Sequence, residues 1–104
     1  MRFKKFYLKQ VEEEIFNETF KKFFDKGYYG DIDRNIIEVQ QREWYFKLIK
    51  LIDERNEIEL MHSLISSENK LTREWFSAIT GYDVRHSTKD KVMSVVMEFI
   101  HGNK

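Results

Sequence analysis

Apolar side chains recur every three or four residues along the first quarter of the chain, as on one face of an amphipathic helix. Polar residues occupy the positions between them, and Gly27 follows as a residue suited to end a helix. We therefore predict a helix over about residues 3–26, and a loop from Tyr28 to Asp31. The apolar positions are Phe3, Phe6, Tyr7, Val11, Ile15, Phe20, Phe23 and Phe24.

A second apolar stripe runs through the middle of the chain, and Asp31 or Asp33 is suited to cap a helix there. Residues 53–57 are polar, so it stays open whether 33–65 forms one helix or two. Beyond them, residues 58–65 show helical spacing but also alternate as a strand does, and we favour the helix. The apolar positions are Ile37, Trp44, Leu48, Leu51, Ile52, Ile58, Met61, Leu64 and Ile65.

Two shorter helices are predicted near the C-terminus. Thr72 is suited to cap a helix over 73–80 that Gly81 ends, after a loop at 66–69. Residues 82–86 read as an extended connector, and residues 87–90 match a capping box that starts at Ser87. A regular apolar stripe then predicts a helix over about 88–101. The fold we expect is all-α, a compact bundle of four or five helices in a single domain over 1–104.

Composition removes several classes of site. The chain lacks Cys, which excludes disulfides and thiolate metal sites. Its 18 basic and 18 acidic residues give zero net charge, which predicts neither generic nucleic-acid nor membrane binding and protects little against self-association. A mean hydropathy of −0.62 and the lack of a long apolar run predict a cytoplasmic protein without membrane contact.

Catalytic patterns are weak. The pairs Glu59…His62 and Glu98…His101 repeat the Glu-x-x-His spacing of di-iron bundles, but the helical wheel turns them away from the apolar faces. The chain has no Gly-x-Ser-x-Gly elbow and no phosphate-binding glycine loop. We expect no catalytic residue, metal or cofactor, and therefore not an enzyme.

Two basic-aromatic clusters occur in the first predicted helix, at residues 3–7 and 20–24. Such clusters can bind membrane surfaces or single-stranded nucleic acid. Their offset of 17 residues rotates one about 100° from the other, and the acidic block 12–14 lies between them. We interpret them as core phenylalanines flanked by solvated lysines.

Residues 71–100 resemble the SAP-type helix–extended loop–helix module. The resemblance rests on Leu71-Thr72-Arg73-Glu74-Trp75-Phe76 with Ile79-Thr80-Gly81, and on Thr88-Lys89-Asp90-Lys91-Val92 with Val96 and Ile100. The connector, 82–87, is longer than usual in that family and lacks its second Gly. The resemblance implies an alternative function as a DNA-associated accessory protein. Its nucleic-acid-binding residues would be Lys70, Arg73, Arg85, His86, Ser87, Lys89 and Lys91.

Aromatic residues exceed what one small core can cover. Residues 44–46 are three adjacent helical positions and span more than half of the helix circumference, so they cannot all face one core. Exposed Tyr and Trp are enriched at protein interfaces. We therefore predict a small non-catalytic interaction or regulatory protein that binds another protein or its own copy as a homodimer. The predicted partner-binding residues are Trp44, Tyr45, Phe46, Tyr28 and Tyr29.

Overall composition adds one expectation about that partner. Richness in Lys, Ile, Asn, Phe and Tyr, without Pro or Cys, is similar to that of small proteins of AT-rich bacteria and their phages or plasmids. Such proteins often modulate a host or replication factor, so a factor of that kind is the partner we expect.

Overall fold

Helices dominate the chain. The computed structural model describes the backbone of residues 2–66 and 69–102, and the side chains of residues 13–66 and 69–102. Within those ranges the backbone forms five helices and no strand, which confirms the all-α prediction. The helices are α1 (Arg2–Asp25), α2 (Arg34–Glu54), α3 (Glu57–Ser66), α4 (Leu71–Thr80) and α5 (Lys89–His101).

A glycine turn separates α1 from α2. Gly27 has φ +80°, and the amide of Tyr28 donates to the Phe23 carbonyl at 3.1 Å, which closes the last turn of α1. Asp33 caps α2, because its Oδ1 accepts hydrogen bonds from the amides of Asn35 at 2.8 Å and Ile36 at 3.4 Å. The sequence had left Asp31 and Asp33 as candidate caps, and the structure uses Asp33.

The polar stretch after α2 is a break between two helices. Arg55 takes the left-handed conformation with φ +51°, and the amide of Asn56 donates to the Leu51 carbonyl at 3.1 Å. The Asn56 side chain then accepts a hydrogen bond from the Glu59 amide at 3.2 Å and so caps α3. Residues 58–64 are therefore helical, and the strand alternative was wrong.

The starts of α4 and α5 differ from the predicted caps. Thr72 lies buried inside the first turn of α4, and Asn69 Oδ1 instead accepts the Leu71 amide at 3.1 Å. Thr88 rather than Ser87 caps α5, with its Oγ1 accepting the Lys91 amide at 3.2 Å. The side chain that accepts the first amide lies three residues before the predicted cap in α4 and one residue after it in α5. Residues 67 and 68 of the predicted loop lie outside the described residues.

The core centres on Trp75 of α4. Its indole Nε1 donates to Thr19 Oγ1 at 2.7 Å, and its ring lies 5.1 Å from that of Tyr45 and 6.1 Å from that of Phe16. These contacts join α1, α2 and α4, while α5 packs on α3 through an aliphatic face that includes Val92. The remaining buried apolar residues are Phe20, Ile37, Leu48, Ile52, Leu60, Leu64, Leu71, Phe76, Val84, Val95 and Val96.

Of the two basic-aromatic clusters, only the second falls among the described side chains. Phe20 is buried and Phe23 and Phe24 are half-buried, whereas Lys21 and Lys22 are exposed. This arrangement agrees with phenylalanines that pack inward beside solvated lysines. The cluster at residues 3–7 lies outside the described side chains, although its backbone belongs to α1.

Tyr29 packs against this aromatic cluster with a buried hydroxyl that has no hydrogen-bond partner in the described part of the chain. Tyr29→Phe removes this unsatisfied group and should raise the unfolding free energy by about 1 kcal/mol, measured by urea denaturation. Burial raises the pKa of Tyr29 above its usual 10.0. Stability should therefore fall as pH rises above 10, and less so in the variant. A clear loss of stability in Tyr29→Phe would mean that the hydroxyl is bonded.

Candidate interaction surfaces

The predicted aromatic partner residues divide between surface and core. Trp44 and Phe46 are 41% and 54% exposed, but Tyr45 between them is 1% exposed and packs on Phe16 and Trp75. Successive helical residues point about 100° apart, so α2 sends the middle ring inward. Tyr29 is half-buried against Phe20. Neither Tyr45 nor Tyr29 belongs to the exposed surface that the sequence predicted.

Tyr28 is the remaining predicted partner residue, and it stays at the surface. Its ring is 39% exposed and meets Phe23 edge-on at 5.4 Å. Its hydroxyl accepts a hydrogen bond from the Lys70 amide at 3.2 Å, which ties the α1–α2 turn to the start of α4. Tyr28 therefore belongs to the junction between the α1–α2 turn and the start of α4.

An apolar stripe follows the outer face of α2. Ile36, Val39 and Phe46 are 67%, 61% and 54% exposed, and Ile32 just before the helix is 49% exposed. At 100° per residue Ile36, Val39 and Phe46 lie about 180° from the buried face of α2, so the helix is apolar on two opposite sides. We call Ile32, Ile36, Val39 and Phe46 the outer stripe. Only Phe46 was predicted as a surface contact, although the spacing of the other three was visible in the sequence.

Trp44 borders a different feature, a groove of about 780 Å³ between α2 and α3. Its lining contains Lys47, Lys50 and Glu54 from α2 and Glu59 from α3, so its charges balance. Opposite charges in alternation are typical of a solvated helix surface. The groove therefore presents no single charge sign to a ligand.

The side chains of the two Glu-x-x-His pairs lie at the protein surface. His101 Nε2 lies 2.8 Å from Glu57 Oε1 and links α5 to α3, while Glu98, Glu59 and His62 are exposed. Across residues 13–66 and 69–102, no three His, Asp or Glu side chains converge to hold an ion.

A basic groove of about 590 Å³ lies where the end of α1 meets the start of α4 and the α4–α5 connector. Four residues of the predicted nucleic-acid set line it, and the end of α1 adds Lys22, from the basic-aromatic cluster at 20–24, and Lys26. Ser87, Lys89 and Lys91 are not among its lining residues. The four are Lys70, Arg73, Arg85 and His86.

Arg73 has a structural role in this groove. Its Nε donates to the Leu64 carbonyl at 2.9 Å, and its Nη1 donates to the carbonyls of Ser87 at 2.7 Å and Val84 at 3.3 Å. The guanidinium thus joins the end of α3 to the connector before α5. Three of its five N–H donors are thus bonded to backbone oxygens, whereas its role as a phosphate ligand stays a prediction. Ser87 enters the same network through its carbonyl and not its hydroxyl.

Arg85 is held by a neighbouring carboxylate. Its Nε and Nη2 each donate to one oxygen of Asp83 at 3.0 Å. These hydrogen bonds lower the pKa of Asp83 to about 2, so the pair stays ionised at neutral pH. Both residues are exposed, so an anion that enters the groove competes with Asp83 for Arg85.

The region that resembles a SAP-type module consists of α4, the connector 82–88 and α5. This helix–loop–helix order is what the resemblance implies, and it is also an ordinary way to join two helices. No protein-family model matches the chain, and neither a curated protein nor a solved structure resembles it significantly. Among the described residues, none of the helices is both long enough and apolar enough to cross a bilayer.

Proposed function

We propose that this chain is a non-catalytic protein–protein interaction protein that binds through the outer stripe of α2. The observation that carries the proposal is the second apolar face of that helix, directly opposite the face that packs in the core. A helix that is apolar on both sides is normally covered on both sides. Exposed apolar rows of this kind typically mark interaction sites.

The occupant we propose is α2 of a second copy. Positions 32, 36, 39, 43, 46 and 50 alternate steps of four and three residues, the spacing of a coiled-coil seam. In an antiparallel pair centred at residue 41, Ile36 meets Phe46 of the second copy and Val39 meets Glu43. This register uses every position of the seam twice, as a two-fold axis requires.

Charge at the ends of the seam favours the same arrangement. Lys50 of one copy lies level with Ile32 of the other. Ile32 sits between Asp31 and Asp33, so each ammonium group meets two carboxylates. Zero net charge removes overall repulsion between copies. The seam is about 27 Å long, which corresponds to a small interface with a dissociation constant on the order of micromolar.

Phe46→Glu should weaken self-association at least about tenfold, because it places a carboxylate against Ile36 of the second copy. Sedimentation equilibrium over a concentration series measures the effect. Ile58→Glu is the matched control, since Ile58 is 76% exposed on α3 and lies outside the stripe. The expected dissociation constant is on the order of micromolar. If the wild type stayed monomeric at a protein concentration about 100 times higher, a second copy would not be what covers the stripe. If Ile58→Glu weakened self-association as much as Phe46→Glu does, the outer stripe would not be the contact surface.

A change at Glu43 tests the register in the opposite direction. Glu43 is the charged residue of the inner seam and faces Val39 of the second copy in the proposed pair. Glu43→Leu should therefore tighten the dimer, by about tenfold for one buried leucine. If the variant left the dissociation constant unchanged, this part of α2 would lie outside the contact.

A further inference from the structure

The basic groove stands apart from the outer stripe, because none of its lining residues belongs to α2. Its lining includes Lys22 and Lys26 from the end of α1, Lys70 directly before α4, and Arg85 from the connector before α5. Among the described residues, Glu74 is the one carboxylate in its lining. The groove is therefore locally positive, although the net charge of the whole chain is zero.

The three lysines of the groove have no close ion pair with a described carboxylate. No carboxylate pairs with Lys26 or Lys70 in the described part of the chain, and Lys22 Nζ lies 3.9 Å from Glu74 Oε1, a long ion pair. Lys22 and Lys26 both lie near the face of the Phe23 ring, with their Nζ atoms 5.6 and 5.9 Å from its centroid. The ammonium groups are therefore held at the groove by their own helix and remain available to an anion.

Aromatic surface lies next to these charges. Phe23 lines the groove, and Tyr28 packs edge-on against it with 39% of its surface exposed. The hydroxyl of Tyr28 accepts a hydrogen bond from the backbone amide of Lys70, which fixes the ring at the start of α4. A cation next to a fixed, exposed ring is the combination that binds a phosphate and stacks the adjoining base. Only an unpaired base offers its face for such stacking.

We infer that this groove binds single-stranded nucleic acid, with Lys26, Lys70 and Arg85 on the phosphates and Tyr28 against a base. The site differs from the one that the SAP-type resemblance implied, because it takes Lys26 from the end of α1 and leaves out Lys89 and Lys91. Arg73 supports the groove wall through its backbone contacts. Asp83 limits affinity by holding Arg85.

The test is fluorescence anisotropy of a labelled 12-nucleotide oligothymidylate, titrated at several salt concentrations. Three phosphate contacts predict a slope of log affinity against log salt of about −2. Lys26→Gln with Lys70→Gln should lower affinity about tenfold and bring the slope to about −0.7. The matched control, Lys89→Gln with Lys91→Gln, removes the same charge and should leave both quantities unchanged.

Two further variants test residues of the site, and two further ligands test the chemistry that it recognises. Tyr28→Leu should lower the affinity for oligothymidylate about tenfold, because a stacking contact is lost. Asp83→Asn should raise that affinity, because it releases Arg85. A duplex of the same length and a polyglutamate peptide should both bind more weakly. Equal binding of the duplex would overturn single-strand recognition, and equal binding of polyglutamate would indicate an acidic protein ligand. Loss of affinity in the Lys89 and Lys91 variant alone would overturn the site.

Discussion

Trp75→Ala should lower the unfolding free energy by about 4 kcal/mol, which is close to the whole stability of a small domain. The indole is fully buried, packs on Phe16 and Tyr45, and bonds to Thr19 Oγ1. Its removal opens a cavity where α1, α2 and α4 meet. Urea denaturation followed by circular dichroism at 222 nm measures the change.

The chain provides a matched control for this substitution. Trp44 is the other tryptophan, it is 41% exposed, and Trp44→Ala should change the free energy of unfolding by less than about 1 kcal/mol. Trp75→Phe retains a ring but not the hydrogen bond to Thr19, and should cost an intermediate amount. If the two alanine variants were equally stable, Trp75 would not be the centre of the core.

Much of the helical framework followed from spacing and caps in the sequence. The α1 stripe, the Asp33 cap and the Gly81 stop are local features, and local features decide where helices begin and end. The break at Arg55 was not decided by the sequence. A left-handed residue there is expected to be Gly or Asn, and Arg takes that conformation only because Asn56 and the packing of α3 fix it.

The exposed surfaces were harder to predict, because they depend on which face of each helix its neighbours cover. The sequence showed that residues 44–46 could not share one core, but only the position of Trp75 decides that Tyr45 turns inward. Lys26 and Lys70 lie more than forty residues apart in the chain. They meet because α1 packs on α4, and no local pattern signals that pairing.

Polar side chains inside the fold were missed for a similar reason. Gln41 lies on the buried face of α2 and is 4% exposed, and its Oε1 accepts a hydrogen bond from Asn69 Nδ2 at 2.8 Å. Asn69 also caps α4, so this one side chain holds α2 to the start of α4. A polar residue on an apolar stripe reads as an interruption until its partner, 28 residues away, is known.

Arg73→Ala should be the most destabilising change among the arginines whose side chains the structure describes, with a loss of about 3 kcal/mol. The guanidinium donates to three backbone carbonyls from α3 and the α4–α5 connector, and those oxygens are left without their donor when it is removed. Thermal and urea denaturation measure the loss. Arg85→Ala is the matched control, because its exposed pair with Asp83 should contribute little to stability.

Arg73→Lys separates this structural role from a role in binding anions. A single ammonium group keeps the positive charge but cannot reproduce a planar fork that reaches carbonyls on two segments. We therefore expect Arg73→Lys to recover less than half of the stability that Arg73→Ala loses. At a temperature where both variants are folded, Arg73→Lys should bind oligothymidylate as the wild type does. Full recovery of stability by lysine would show that charge alone matters at this position, and that the connector before α5 is held by other contacts.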